Sequence, residues 1–94
     1  SHPFLWTKID SLIFGQKEKY LPRSKIIKKL IPFAQKHLEN NGRLWQISRH
    51  ILNLIENIPN AKILRQELSE KCQTQKADVS ILKKIAQQLE DAGQ

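Results

Sequence analysis

Arg49, His50, Lys62 and Arg65 are the residues of this chain whose types and spacing fit one chemistry, the binding of anionic oxygen. Arginine offers a planar fork that matches a phosphate through two contacts, and Asn53, one turn after Arg49, extends the same polar face. Lys62 and Arg65 fall in the first turns of a helix expected from Ala61. Unpaired backbone N–H groups and the positive end of the helix dipole already favour an anion there. Lys28, Lys29 and Lys36, with Lys25 and Arg23, add a basic stripe on the solvent side of an earlier helix. Together these cations read as one patch for a phosphate backbone. For any single lysine the plainer reading is a solvated helix face. The rings of Trp6 and Trp45 are of a kind that stacks on bases, but Leu44 and Ile47 around Trp45 mark it as a partly buried core residue.

The groups that catalysis requires do not converge in this pattern. His2, His37 and His50 are far apart, and Cys72 has no second cysteine to form a metal set. Cys72 lies one turn after Leu68 on the apolar side of its helix, where a thiol is buried and inert. Gly15, Gly42 and Gly93 are isolated, so neither a P-loop nor a dinucleotide loop is present. By itself the chain is expected to catalyse nothing and to hold neither a cofactor nor a metal. Its 16 Lys and Arg against 9 Asp and Glu give a net charge of +7, which points to a polyanionic partner.

Helices must position these residues, because the β-branched residues are 12 Ile, 1 Val and 2 Thr with no period-two alternation. A first helix is expected from Pro3 to Phe14, with Phe4, Leu5, Ile9, Leu12 and Ile13 inward and Gly15 as its end. Gln16 to Arg23 reads as a charged loop. Ser24 is the expected N-cap of a second helix reaching Asn40 or Asn41. Ile26, Ile27, Leu30, Ala34, His37 and Leu38 form its stripe, Pro32 predicts a kink near Lys28, and Asn41-Gly42 stops it. Leu44, Ile47, Ile51, Leu54 and Ile58 recur at helical spacing and predict a third helix running up to Pro59. Asn60 is the expected cap of a fourth helix, Ala61 to about Cys72. Asp78 caps or opens a fifth, with Val79, Leu82, Ile85, Ala86 and Leu89 inward and Gly93 closing it.

The fold class predicted is all-α, an antiparallel four- to five-helix bundle with one core. The longest apolar stretch, Leu30 to Ala34, is far too short to span a membrane. Lys8 and Asp10 argue against a secretory signal within Ser1 to Phe14, and a lone cysteine suits the reducing cytoplasm.

The segment from Ser48 to Glu70 resembles the C-terminal helical domain of the bacterial tRNA-dihydrouridine synthase A family. Arg49, His50, Pro59, Ala61, Arg65, Leu68 and Ser69 fit its pattern of Arg-His, apolar run, Pro-Gly-Ala-Arg, basic pair and Leu-Ser. Asn60 stands where the family has Gly, Lys62 where it has Arg, and Gln66 in place of the second basic residue. Ile31-Pro32-Phe33 is similar to the Pro-aromatic pair of the preceding helix, and Ala77-Asp78-Val79 with Leu82 to the start of the last. His2-Pro3-Phe4-Leu5, Ile9-Asp10 and Phe14-Gly15 resemble the segment that closes the family's flavin barrel.

The resemblance implies two parts: residues 1–15 ending a barrel, and residues 16–94 forming a helical tRNA-binding domain. It implies a parent enzyme that binds FMN in a TIM-type barrel, takes hydride from NADPH and reduces a D-loop uridine of tRNA to dihydrouridine. A barrel cysteine, matched by no residue here, would protonate the base. The partners implied are tRNA and the chain's own N-terminal barrel, with no membrane. RNA contacts are expected from Arg49, His50, Lys62 and Arg65, then from Lys28, Lys29 and Lys36. The rival reading is a free-standing basic helical module that binds an acidic protein partner.

Overall fold

The computed structural model describes residues 3–94, with Pro3, Phe4, Leu5 and Glu18 described through their backbone alone. His2 and the inward placement of Phe4 and Leu5 therefore lie outside the described residues. Five helices follow in order: α1 Pro3–Glu18, α2 Arg23–Glu39, α3 Leu44–Leu52, α4 Ala61–Cys72 and α5 Ser80–Asp91. No strand occurs among the described residues. The pairs α2–α5 and α3–α4 run antiparallel. Ser24 N–H donates to the Gln94 carbonyl while Lys28 pairs with Glu90, so α2 rises as α5 descends. Arg65 reaches Leu52 while Cys72 bonds Ser48, giving the same order to α3 and α4. The Cα extents of 33 × 28 × 17 Å make a slab about two helix layers deep.

The core collects one stripe from each helix. Ile9, Ile26, Ile27, Leu30, Ala34, Leu44, Ile47, Ile51, Leu64, Leu68, Leu82, Ile85 and Leu89 are buried together. The inward residues expected of α2 are buried except Leu38, which is half-buried, and α2 runs unbroken through Pro32.

Three expected boundaries move, each for a local reason. Gly15 does not end α1; the helix continues to Glu18 and closes with Tyr20 in the left-handed region (φ 57). Tyr20 N–H returns to the Lys17 carbonyl and Leu21 N–H to that of Gln16, and Pro22 bars further turns. The charged loop is thus only the turn before α2. Ser24 is not a cap but a buried residue inside α2, whose start is satisfied from across the bundle by Gln94.

The largest correction concerns α3, which ends at Leu52 rather than running up to Pro59. Arg65 Nη1 donates to the Leu52 carbonyl at 2.6 Å and Arg23 Nε to the Leu54 carbonyl at 2.7 Å. Those are oxygens that a continuing helix would have used itself. Leu54 and Ile55 instead form tight turns to Ile51 and Leu52, and both enter the core.

Two ends close by one device. After α2, Asn41 takes the left-handed conformation (φ 66) and Gly42 N–H donates to the His37 carbonyl at 2.8 Å. After α5, Gly93 (φ 77) plays the same part and Gln94 N–H donates to the Leu89 carbonyl. At the other end of α5, Asp78 Oδ1 accepts from the backbone N–H and hydroxyl of Ser80, so it organises the start while α5 itself begins at Ser80.

Glu67 ties α4 to α5, accepting from Lys71 Nζ at 2.7 Å and lying 3.6 Å from Lys84 Nζ. The Lys71 hydrogen bond, ahead of the nearby positive charges, holds its carboxyl below the ordinary glutamate value. A lowered pKa in the fold means stability present above the unfolded value and lost as pH falls through the folded one. Glu67→Gln is therefore expected to lower Tm at pH 7, and the gap from the parent chain should close below about pH 4 in a melting series.

Candidate nucleic-acid interface

Four of the sequence-predicted cations carry no ion pair or hydrogen bond among the described residues: Arg49, Lys62, Lys29 and Lys36. All four are exposed. Helical phase divides them. Arg49 lies opposite the buried positions of α3, and Lys62 lies one turn before Arg65 and two before Ser69 on the α3 side of α4. They share the outer surface of the α3–α4 pair.

Lys25, Lys29 and Lys36 share the outward face of α2. Arg23 and His37, which reach Leu54 and Gln46 beyond α2, mark the side of that helix turned toward α3. The lysine stripe points away from it. Lys25, Lys29 and Lys36 thus lie on a different helix face from Arg49 and Lys62.

The other three candidates are engaged. Lys28 Nζ lies 3.4 Å from Glu90 Oε2 across α2 and α5. Arg65 donates to Leu52 and also lies 3.2 Å from Glu56, stitching the shortened end of α3 to α4. His50 Nδ1 sits 2.9 Å from Asp10 Oδ1 on α1, and its ring stacks on Trp6 with centroids 5.2 Å apart. Trp6 also meets His37 edge-on at 5.6 Å. That packing occupies the Trp6 ring between two imidazoles.

Trp45 reverses its expectation. Leu44 is buried at 1%, whereas Trp45 is 42% exposed and sits one turn before Arg49 on the outer face of α3. An aromatic plane beside a free guanidinium is the pairing that nucleic-acid surfaces use.

Cys72 is buried. Burial pushes its thiol above the ordinary range, against a smaller opposing effect of the Ser48 hydrogen bond. Among the described residues no three His, Cys, Asp or Glu side chains gather for a metal, and no helix is long and apolar enough to cross a membrane.

Sequence reasoning passed over Tyr20, which is 93% exposed. The signal was its setting, an aromatic among Lys17, Lys19 and Arg23, which the reading of a charged loop absorbed.

The chain is 28% identical over 82 residues to a tRNA-dihydrouridine(20/20a) synthase of Shewanella oneidensis, covering 87% of this chain and 24% of the relative. The same-named protein of Vibrio vulnificus is 28% identical over 92 residues, covering 94% and 28%. That of Pseudomonas aeruginosa is 34% identical over 68 residues, covering 72% and 20%. Over most of its length the chain is thus similar to tRNA-dihydrouridine synthases.

It spans only 20–28% of the length of these synthases. No protein-family model matches the chain, and no solved structure matches it. One departure from the synthase pattern gains a physical account. Asn60, standing at the pattern's Gly, has φ 61 and no side-chain capping bond. Asparagine is the residue that best tolerates this left-handed backbone after glycine.

Proposed function

We propose that this chain is the tRNA-holding helical domain of a cytoplasmic tRNA-dihydrouridine synthase. The observation that carries the reading is the relation to such synthases over most of this chain but a minor share of theirs. In this reading residues 16–94 form a C-terminal domain that grips the tRNA backbone, and residues 1–15 join it to the barrel. A D-loop uridine then reaches the barrel once it leaves its stack.

The unengaged cations on the outer surface of α3 and α4 support backbone contact, with Arg49 as a bidentate fork and Lys62 as a point charge. His50 and Arg65, engaged with Asp10 and with Leu52 and Glu56, act by shaping that surface. Lys29 and Lys36, exposed on the outward face of α2, serve as a second contact surface.

This reading gives the flavin no site on the helical domain. The one sulfur, that of Cys72, is buried, and Gly42 packs against His37 where a phosphate loop would need open backbone. FMN and NADPH, which would supply hydride to the uridine, are assigned to the rest of the parent.

Titration of fluorescently labelled tRNA with this chain across a salt series tests the reading. Saturable binding with a log–log salt slope equivalent to roughly four to seven phosphates is expected. A flat salt response, or binding only to an acidic protein, would favour the rival interaction module.

A further inference from the structure

A groove of about 420 Å³ opens between the α1–α2 turn and the α3–α4 connection, lined by Lys17, Tyr20, Arg23, Asn53, Glu56 and Asn57 among others. Its volume falls within the range of small-ligand sites. Tyr20 stands on its rim in the left-handed backbone conformation, 93% exposed. A bulky residue there is strained, and glycine or asparagine would hold the turn better. Neither packing nor backbone preference accounts for a tyrosine at this position.

The rest of the lining completes a chemical pattern. The amides of Asn53 and Asn57 carry no hydrogen bond among the described residues, and Lys17 and the neighbouring Lys19 carry no ion pair. The one carboxylate, Glu56, is matched by Arg65. The groove therefore presents an exposed aromatic plane, two free amides and net positive charge. That set suits a nucleobase stacked on its face and bonded at its edge, with its phosphate held by lysine.

We infer that this groove binds one unpaired nucleotide of an RNA chain, with Tyr20 as the stacking platform, Asn53 and Asn57 at the base edge, and Lys17 at the phosphate. The assignment rests on the RNA-binding reading above.

Tyr20→Gly and Tyr20→Phe, compared with the parent chain for binding to folded tRNA and for Tm, test it. Tyr20→Gly is expected to weaken binding between about fivefold and a hundredfold, the span that loss of one stacked base gives. The same variant should melt higher than the parent chain, because the turn is relieved. That opposition separates a binding loss from a folding loss. Tyr20→Phe should bind within about twofold of the parent chain. In a titration with a four-nucleotide oligouridine, the side-chain amide NMR signals of Asn53 and Asn57 should shift in the parent chain and not in Tyr20→Gly. Unchanged tRNA affinity in Tyr20→Gly, with the parent chain binding well, overturns the groove alone. No tRNA binding by the parent chain overturns the domain's RNA-binding role and the groove with it.

Discussion

Replacing both Arg49 and Lys62 by alanine should weaken tRNA binding by on the order of tenfold at low salt and flatten the salt slope by about two, with Tm unchanged. Each exposed cation on a phosphate adds about one unit to that slope, independent of sequence. Neither side chain holds another part of the fold. Arg65→Ala should behave differently. Its guanidinium satisfies the Leu52 carbonyl and offsets Glu56 at the point where α3 stops. Losing a charged donor to a partly buried carbonyl costs about 1–2 kcal/mol. For a domain of this size that lowers Tm by roughly 5–15 °C. Affinity and calorimetric melting on the three chains separate the two roles. An Arg65→Ala chain that melts like its parent would show that the carbonyl contact carries no stability.

The second large effect concerns Gly42. A Cβ built there would overlap His37 Nε2 and the neighbouring carbons of its ring. His37 is buried and cannot retreat without losing its 2.8 Å bond to Gln46 Oε1, which also accepts from the Arg43 N–H that opens α3. Overpacking with loss of that bond should make Gly42→Ala cost about 2–4 kcal/mol. The corresponding fall in Tm is roughly 10–25 °C. Gly15→Ala supplies the contrast. A Cβ at Gly15 meets nothing within 4 Å inside α1, so alanine there should stabilise by about 0.5–1 kcal/mol. Equal melting of the two variants would contradict the packing described around His37.

The two glycines also show where local pattern stops informing. Asn41-Gly42 reads correctly as a helix stop, yet Asn41 takes the left-handed turn and Gly42 is needed because an imidazole lies against it. Only the meeting of α2 with α3 reveals that. The helical stripes were legible because burial at 3.6-residue spacing leaves a periodic mark, and α4 matches its expected bounds.

The end of α3 was not legible. Its apolar period continues through Leu54 and Ile58, while the arginines that withdraw the Leu52 and Leu54 carbonyls lie on other helices. Charge was legible as a total but not as a surface. Spacing along the chain gives each cation a helix face. Which faces meet, and which cations are taken by Asp10, Glu56 or Glu90, depends on packing. Trp45 fails for the same reason, since apolar neighbours in sequence need not be neighbours in the core.

The most direct measurement is the affinity of this chain for folded tRNA against a single-stranded RNA of the same length, by fluorescence anisotropy at one physiological salt concentration. A domain shaped to hold tRNA should bind the folded molecule more tightly, because its cations are fixed on rigid helices at spacings that a folded backbone meets. Equal affinity for the two would reduce the surface to non-specific charge and contradict the account.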